Sequence, residues 1–459
     1  MTTTINNEQK KLNFSSEREQ SQACLNSAEH EKNQGRKVLN VPNLRFKEFQ
    51  GEWEKHELGD ICETITDFVA AGSFASLREN VKYYQEDNYA QLVRTVDLKK
   101  DFTNNDFVYV DEFAYDFLWR VQLKEPNIVL PNIVANIGEK YYVSPKDLPK
   151  EKNVLGPNAI LLRSKCNDTH FVYFRLSTSS YDNEMKKLVG ASGQPKFNKT
   201  DLKKVRLFIP SLKEQKKISY FLGLLEERIA TQNKIIEDLK KLKSAIVEKV
   251  FCSPNQEYPM CRIEGFEHAL STYKMSDFSS RIASKNKDSK CSLVLTIAAQ
   301  YGLVNQESFF NKSVASDNLT GYYLLHKGEF AYNRSYSAGY DWGAVKRLDN
   351  YDEGVLSTLY ICFKINETIV DSDYLAYYFE SSKWHKGLSD IAGEGARNHG
   401  LLNVSITDYF NTKHRFPVIE EQKAIAKMLN TITEKERKAT LLGECYQKQK
   451  QYLLRQMFI

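Results

Sequence analysis

The feature that most constrains this 459-residue chain is a repeat of its own closing stretch. Residues 209–251 read IPSLKEQKKISYFLGLLEERIATQNKIIEDLKKLKSAIVEKVF, and residues 416–459 read FPVIEEQKAIAKMLNTITEKERKATLLGECYQKQKQYLLRQMFI. Adding 207 superposes them without a gap: Pro210 on Pro417, Gln215 on Gln422, Ile218 on Ile425, Leu222 on Leu429, Phe251 on Phe458. A chain whose two halves end alike is expected to fold as two equivalent units.

Each copy reads as a long helix. Pro210 disfavours helix before it, and Ser211 with Glu214 has the S-x-x-E spacing of a capping box. Alternating steps of four and three then give Ile218, Leu222, Leu225, Ile229, Gln232, Ile236, Leu239, Lys243, Ile246 and Val250. Eight of these ten are apolar, the 3.5-residue seam of a coiled coil. About forty residues at roughly 1.5 Å each approach 60 Å, and an apolar stripe of that length needs a partner as long. The second copy supplies Ile425, Leu429, Ile432, Glu436, Ala439, Gly443, Tyr446, Lys450, Leu453 and Met457. An intramolecular antiparallel pair is expected, in preference to two helices each packed on its own unit. The second seam is weaker, with Val418 in place of the capping serine, and the symmetry is expected to break at Glu436, Gly443 and Lys450.

The repeat extends upstream. Residues 56–61 (HELGDI) match 273–278 (YKMSDF) at an offset of 217. Residues 171–181 (FVYFRLSTSSY) match 374–384 (YLAYYFESSKW) at 203, and Gly190 falls on Gly393. A four-residue insertion between Gly393 and Val404 then restores 207, a length change suited to an exposed loop. Strand-length apolar runs at 89–98, 127–137 and 159–163 precede a helix at 170–181 in the first half. Runs at 293–299, 330–333 and 355–365 precede its counterpart in the second. Residues 1–40 hold ten apolar residues in forty and are expected to be a flexible polar tail. The fold class is therefore α/β: two mixed α/β domains joined by two long antiparallel coiled-coil helices in a pseudo-twofold repeat. The expected boundaries are 41–210 and 252–417 for the domains, with spacer helices at 211–251 and 418–459.

Several function classes are disfavoured. No apolar run approaches the roughly 18 residues of a membrane span, and the amino terminus lacks a signal-peptide core. Eight scattered cysteines without C-x-x-C point to a reduced, cytoplasmic protein, and the eight histidines show no H-x-x-x-H spacing. Neither a phosphate-binding G-x-x-x-x-G-K-[ST] nor a strand–G-x-G-x-x-G–helix is present, and no serine lies in G-x-S-x-G. Without Pro-Pro, the loop used by amino-methylating DNA enzymes is missing too. A formal charge of +5 permits nucleic-acid contact without demanding it. The pattern is that of a reader with no catalytic residues.

The P-x-x-x-E-Q-x-x-I-x-x-x-L openings at 210–222 and 417–429 resemble the helix starts of specificity (S) subunits of bacterial type I restriction–modification enzymes. So do NLRFKEFQGEWEKHELGDI and YKMSDF, which look like the first strands of that family's target recognition domains, and PNIVANIGEKYYV and KGEFAYNRSYSAGYDWGAVKR within them. The resemblance covers about residues 41–459. It implies a non-catalytic subunit that binds double-stranded DNA, each domain reading one half of a bipartite asymmetric site. The helix pair would act as a ruler and dock two methyltransferase subunits, with restriction/motor subunits joining them. Adenine methylation or cleavage would be done by those partners, which would hold S-adenosylmethionine, ATP and magnesium. No cofactor or metal is expected on this chain. The alternative is a coiled-coil scaffold joining two protein-binding modules without nucleic acid.

Base reading calls for Arg, Lys, Asn, Gln, Ser or Thr at loop tips, with aromatic or small neighbours. In the second domain Asn333, Arg334, Ser335, Tyr336, Ser337 and Tyr340 follow a strand, and Arg397 and Asn398 lie in the inserted loop. Arg334→Ala is expected to relax one position of one half-site. In the first domain the candidates are Arg94 and Thr95 at a strand end, Lys140 and Tyr141 in NIGEKYY, and Gln194 and Lys196 in the corresponding loop.

Overall fold

The computed structural model describes residues 39–132, 138–189, 197–312, 318–335, 339–391, 397–398, 401–402 and 404–459. The chain forms two compact units. Unit 1 comprises the residues up to Glu227 together with Tyr446–Ile459, and unit 2 is Arg228–Cys445. The division cuts through both long helices, so each unit owns one stretch of each.

Among the described residues, unit 1 is built on nine strands. A ribbon pairs β1 (Glu54–Glu57) antiparallel with β9 (Arg206–Ile209). An antiparallel sheet runs β2 (Thr64–Asp67), β8 (Ala159–Arg163), β5 (Asn127–Pro131), β6 (Tyr141–Val143). A second sheet places β3 (Ala90–Val93) between antiparallel β4 (Val108–Val110) and parallel β7 (Asn153–Leu155). β3, β5 and β7 are buried along their whole length, which is why their sequences are mostly apolar and do not alternate, each carrying one buried amide, Gln91, Asn127 and Asn153. The core gathers Leu92, Val93, Val110, Leu118, Val129, Val154, Leu155 and Leu161 between the sheets.

Unit 2 repeats this plan. A ribbon pairs β10 (Ser271–Lys274) with β21 (Lys413–Phe416), and the hairpin β12 (Leu295–Ala298)–β13 (Gly302–Asn305) packs beside the pair β14 (Tyr323–His326)–β17 (Glu353–Leu356). The antiparallel sheet runs β11 (Ser279–Arg281), β18 (Ile361–Ile365), β15 (Phe330–Asn333), β16 (Ala344–Arg347). A short ladder joins β19 (Arg397–Asn398) to β20 (Leu401–Leu402). Its core is more aromatic, with Phe330 and Phe363 stacked at 5.3 Å and Tyr332 on Tyr409 at 4.8 Å.

Two strand expectations and one helix expectation change. The run from Tyr89 stops as a strand at Val93 because buried Asp97 accepts the Arg94 N–H at 2.8 Å, turning residues 95–99 into a helical turn. The run 355–365 is two strands separated by residues 357–360. The expected helix 170–181 is two helices, Thr169–Leu176 and Ser179–Val189, divided where the Thr178 hydroxyl donates back to Arg175 O.

The long helices are Leu212–Val250 and Ile419–Gln456, 39 and 38 residues, and they pack together antiparallel. Every expected seam position is buried or half-buried, Ile218, Leu222, Ile425 and Leu429 almost completely. The three positions singled out for broken symmetry are accommodated differently. Lys450 donates to Glu226 at 2.5 Å within unit 1. Within unit 2, a Cβ on Gly443 would lie 3.5 Å from both Gln232 and Ile236, and Gln232 Nε2 donates to Ala439 O at 2.9 Å. Glu436 is half-buried. No helix among the described residues is long and apolar enough to cross a membrane.

The capping box is replaced by a latch. Glu214 does not turn back to its own helix start; it accepts two hydrogen bonds from Arg45, at 2.7 and 2.8 Å. Gln215 accepts the Asp168 N–H, which starts the helix Thr169–Leu176, and donates to Pro210 O. In unit 2 Glu421 holds Arg262 at 2.8 and 2.7 Å. Gln422 accepts the Asp371 N–H and donates to Pro417 O. The repeated Glu-Gln thus ties each helix start to two other segments of its domain.

The far helix ends dock in the same way. Phe458 packs on Phe171 at 5.4 Å and on Trp53 at 6.1 Å in unit 1. Phe251 packs on Tyr374 at 5.0 Å in unit 2. Leu44 N–H donates to Gln456 O, and Cys261 N–H to Lys249 O.

Candidate nucleic-acid interface

In unit 2 the candidates converge. β15 ends at Asn333, whose side chain accepts the Ser335 N–H at 3.0 Å, a local turn that leaves Ser335 exposed. Opposite Asn333, Gly343 has φ +74°, and a Cβ there would stand 2.1 Å from Asn333 O, so only glycine admits this close return. Arg334 ties the patch together. Its guanidinium donates to Val404 O at 3.1 Å and Leu359 O at 3.2 Å, while its own carbonyl accepts the Leu402 N–H at 3.0 Å. The β19–β20 ladder carrying Arg397 and Asn398 is therefore attached directly to the end of β15. Tyr336 and Ser337 lie outside the described residues.

Tyr340 stands half-buried against the smaller apolar core of unit 2 and lines a cleft of about 510 Å3. Lys346, Gln300, Trp384, His385 and Glu380 share that cleft. Burial pushes both the Lys346 ammonium and the His385 imidazole down from their ordinary ranges. Aromatic faces beside a cation and an amide suit a planar polar group.

In unit 1 the candidates are drawn into ion pairs. Arg94 donates Nε and one terminal nitrogen to fully buried Asp97, at 3.1 and 2.8 Å, and reaches Asp106 O at 2.6 Å. The Asp97 hydrogen bond holds the guanidinium above its usual value. Thr95 begins the helical turn that follows and is half-buried. Lys140 pairs with Asp182 at 2.8 Å and lies over the Tyr181 ring. Tyr141 turns to the other side, donating to Glu139 at 2.7 Å, and Glu139 also accepts from Lys99 at 2.6 Å. Burial and Glu139 raise the Tyr141 phenol well above its ordinary value. Arg94–Thr95 and Tyr141 thus meet through Lys99 and Glu139, whereas Lys140 belongs to the helix Ser179–Val189. Gln194 and Lys196 lie outside the described residues.

Sequence reasoning missed Asp97, Arg45 and Arg262. The last two carried a signal: the 217-residue offset of the domain openings places Arg45 on Arg262. Asp97 carried none, because its role depends on burial. Exposed aromatics of the first domain, Phe74, Phe113 and Trp119, were also passed over. Among the described residues no group of three or more His, Cys, Asp or Glu could hold a metal, and seven cysteines are free.

Residues 50–241 match the family described as "Type I restriction modification DNA specificity domain". The chain is 24% identical over 420 residues to a Methanocaldococcus jannaschii protein described as "Putative type I restriction enzyme MjaX specificity subunit". The alignment covers 87% of this chain and 91% of that one. Its fold is similar to the crystal structure of a type I restriction–modification S subunit from M. genitalium. The TM-score is 0.54 at 13% identity, covering 91% of this chain and 99% of that one.

Proposed function

We infer that this chain, which belongs to the specificity-subunit family of type I restriction–modification systems, is the DNA-reading, non-catalytic subunit of such a complex. The observation that carries the reading is the duplicated architecture. Each unit has its own sheet core, its own Arg–Glu–Gln latch and its own variable loops beside a common frame. Equal frames with unequal loops suit an asymmetric DNA site, as equal loops would suit a palindrome.

Unit 1 reads one half-site through the loops around Arg94, Thr95, Lys140, Tyr141, Gln194 and Lys196. Unit 2 reads the other through Asn333–Ser337, Tyr340 and the strand Arg397–Asn398. In the free protein Arg94 and Lys140 are already paired with acids, so contact with DNA would exchange one partner for another. Two methyltransferase subunits dock on the helix pair and bring S-adenosylmethionine to adenine. Restriction/motor subunits bring ATP and magnesium, and the assembly works in the cytoplasm.

Assembling the chain with its methyltransferase and mapping methylated adenines tests this. A split site in which substitutions at Asn333 or Asn398 change one half and leave the other intact is expected. DNA binding indifferent to both sequence and salt would overturn it.

A further inference from the structure

Sheet topology gives the strand end at Arg94 a counterpart in unit 2. In unit 1 β3 lies parallel to β7 and antiparallel to β4, and it leaves the sheet at Arg94. In unit 2 β12 lies antiparallel to β13, and Val294, just before it, bridges in parallel to Val355 of β17. β12 is therefore the equivalent of β3. Ala299, Gln300 and Tyr301, which join it to β13, stand where unit 1 has residues 94–107.

This join is a tight hairpin. Tyr301 N–H donates to Ala298 O at 2.9 Å, and Gly302 follows with φ +84°, the left-handed residue that a three-residue hairpin loop uses. Gln300 and Tyr301 are both exposed, Tyr301 at 68%. The Gln300 amide has no partner among the described residues. In unit 1 the same place holds Arg94, which is already engaged by Asp97 and Asp106.

The hairpin also carries no charge. Residues 291–306 contain no Asp, Glu, Lys or Arg, in a chain that is 27% charged. Exposed strands usually bear charge, which keeps them from pairing with other chains. An uncharged hairpin tipped by a free amide and a phenol is a contact surface, and its recognition must come from hydrogen bonding and shape.

Two contacts fix it to the candidate interface. The Thr296 hydroxyl meets the Tyr360 hydroxyl at 3.2 Å, next to Leu359, whose carbonyl holds Arg334. Gln300 lines the cleft of about 510 Å3 together with Tyr340 and Gly343, and Gly343 is the residue that returns onto Asn333 O. The tip, Tyr340 and the end of β15 thus share one face of unit 2.

We propose that this hairpin tip reads one base pair of the second half-site in the major groove. Gln300 pairs its amide with N6 and N7 of an adenine, and Tyr301 lies along the neighbouring sugar–phosphate backbone. A two-stranded ribbon fits the major groove, about 12 Å wide, and a carboxamide matches the donor and acceptor on the adenine edge. The inference rests on the DNA-reading function proposed above.

The test assembles the full chain with its methyltransferase subunits, presents a duplex library and sequences the methylated sites. Gln300→Ala should relax one A·T position of one half-site by about 10- to 100-fold and leave the other half-site unchanged. Gln300→Glu makes the tip an acceptor alone and should shift the preference at that same position toward cytosine. Tyr301→Ala should weaken binding to all sequences alike. Both side chains are exposed, so the melting temperature should hold in each variant. Base preference unaltered in both Gln300 variants overturns the proposal. So does weaker assembly with the methyltransferase at unchanged base preference. A wild-type complex without a split site would remove the DNA-reading function itself, whereas a split site indifferent to Gln300 removes the hairpin alone.

Discussion

Arg45 and Glu214 lie 169 residues apart and share two hydrogen bonds, of 2.7 and 2.8 Å. The Glu214 side chain is 2% exposed and that of Arg45 15%, so the pair is shielded from water. Removing one partner strands a buried charge, at a cost of about 3–5 kcal/mol. Arg45→Ala should therefore speed amide exchange across the first turns of the helix beginning at Leu212, with unit 2 unaffected. Arg262→Ala should do the same around Ile419 through Glu421. A loss below about 1 kcal/mol at either place would mean the latch is ornamental.

Gln215 and Gln422 each join three segments through a side-chain amide. Gln215→Ala leaves the Asp168 N–H and Pro210 O without their partner, and each buried orphan costs about 1–3 kcal/mol. The helix Thr169–Leu176 should fray at its start, visible as faster exchange at residues 168–171. Gln215→Glu keeps the acceptor but loses the donor, and should fall between wild type and Ala.

Arg334 was expected to read a single base. Its guanidinium instead spans the carbonyls of Val404 and Leu359, and its backbone holds Leu402. Arg334→Ala should then loosen the ladder carrying Arg397 and Asn398 and weaken discrimination across the whole second half-site. Arg334→Lys cannot span both carbonyls and should resemble Ala. A loss confined to one base pair, about 1–3 kcal/mol, would return Arg334 to direct readout.

The long helices run 39 and 38 residues without interruption. Inserting four residues into each adds about 6 Å of helix. Methylation mapping should then show an altered gap between unchanged half-sites; the original gap would sink the ruler.

His414 is fully buried between the Tyr378 hydroxyl and the Thr412 hydroxyl, and burial lowers its pKa from 6.5 to about 3. Between those values the unfolded chain binds a proton that the folded chain refuses. Its contribution is complete above about pH 6.5 and declines as pH falls toward 3, at up to about 1.4 kcal/mol per pH unit. Unit 1 has Leu207 at the equivalent place. Acid should thus unfold unit 2 before unit 1, and His414→Leu should flatten that slope while orphaning the Tyr378 hydroxyl; the Thr412 hydroxyl keeps Tyr409 O.

The helices and their register were legible in the sequence because a seam repeats every 3.5 residues over ten positions, and a period that long has one solution. Ile218, Leu222, Ile425 and Leu429 are buried where the spacing puts them. The domain order was legible because a duplicated chain shows each element twice. The reading of Glu214 as a local cap was not secured in that way: S-x-x-E describes a neighbour three residues off, whereas its partner arrives from 169 residues upstream.

The sequence by itself determined two repeated halves, their long amphipathic helices and the polar loops that distinguish them, all of which follow from local spacing and composition. Tertiary structure alone decided which charges are spent within the fold. It gave Arg94 to Asp97, Lys140 to Asp182, Arg334 to two carbonyls and buried Arg175 to the hydroxyls of Thr178 and Ser180. Charge pairing depends on distance in space and on burial, which chain spacing does not encode.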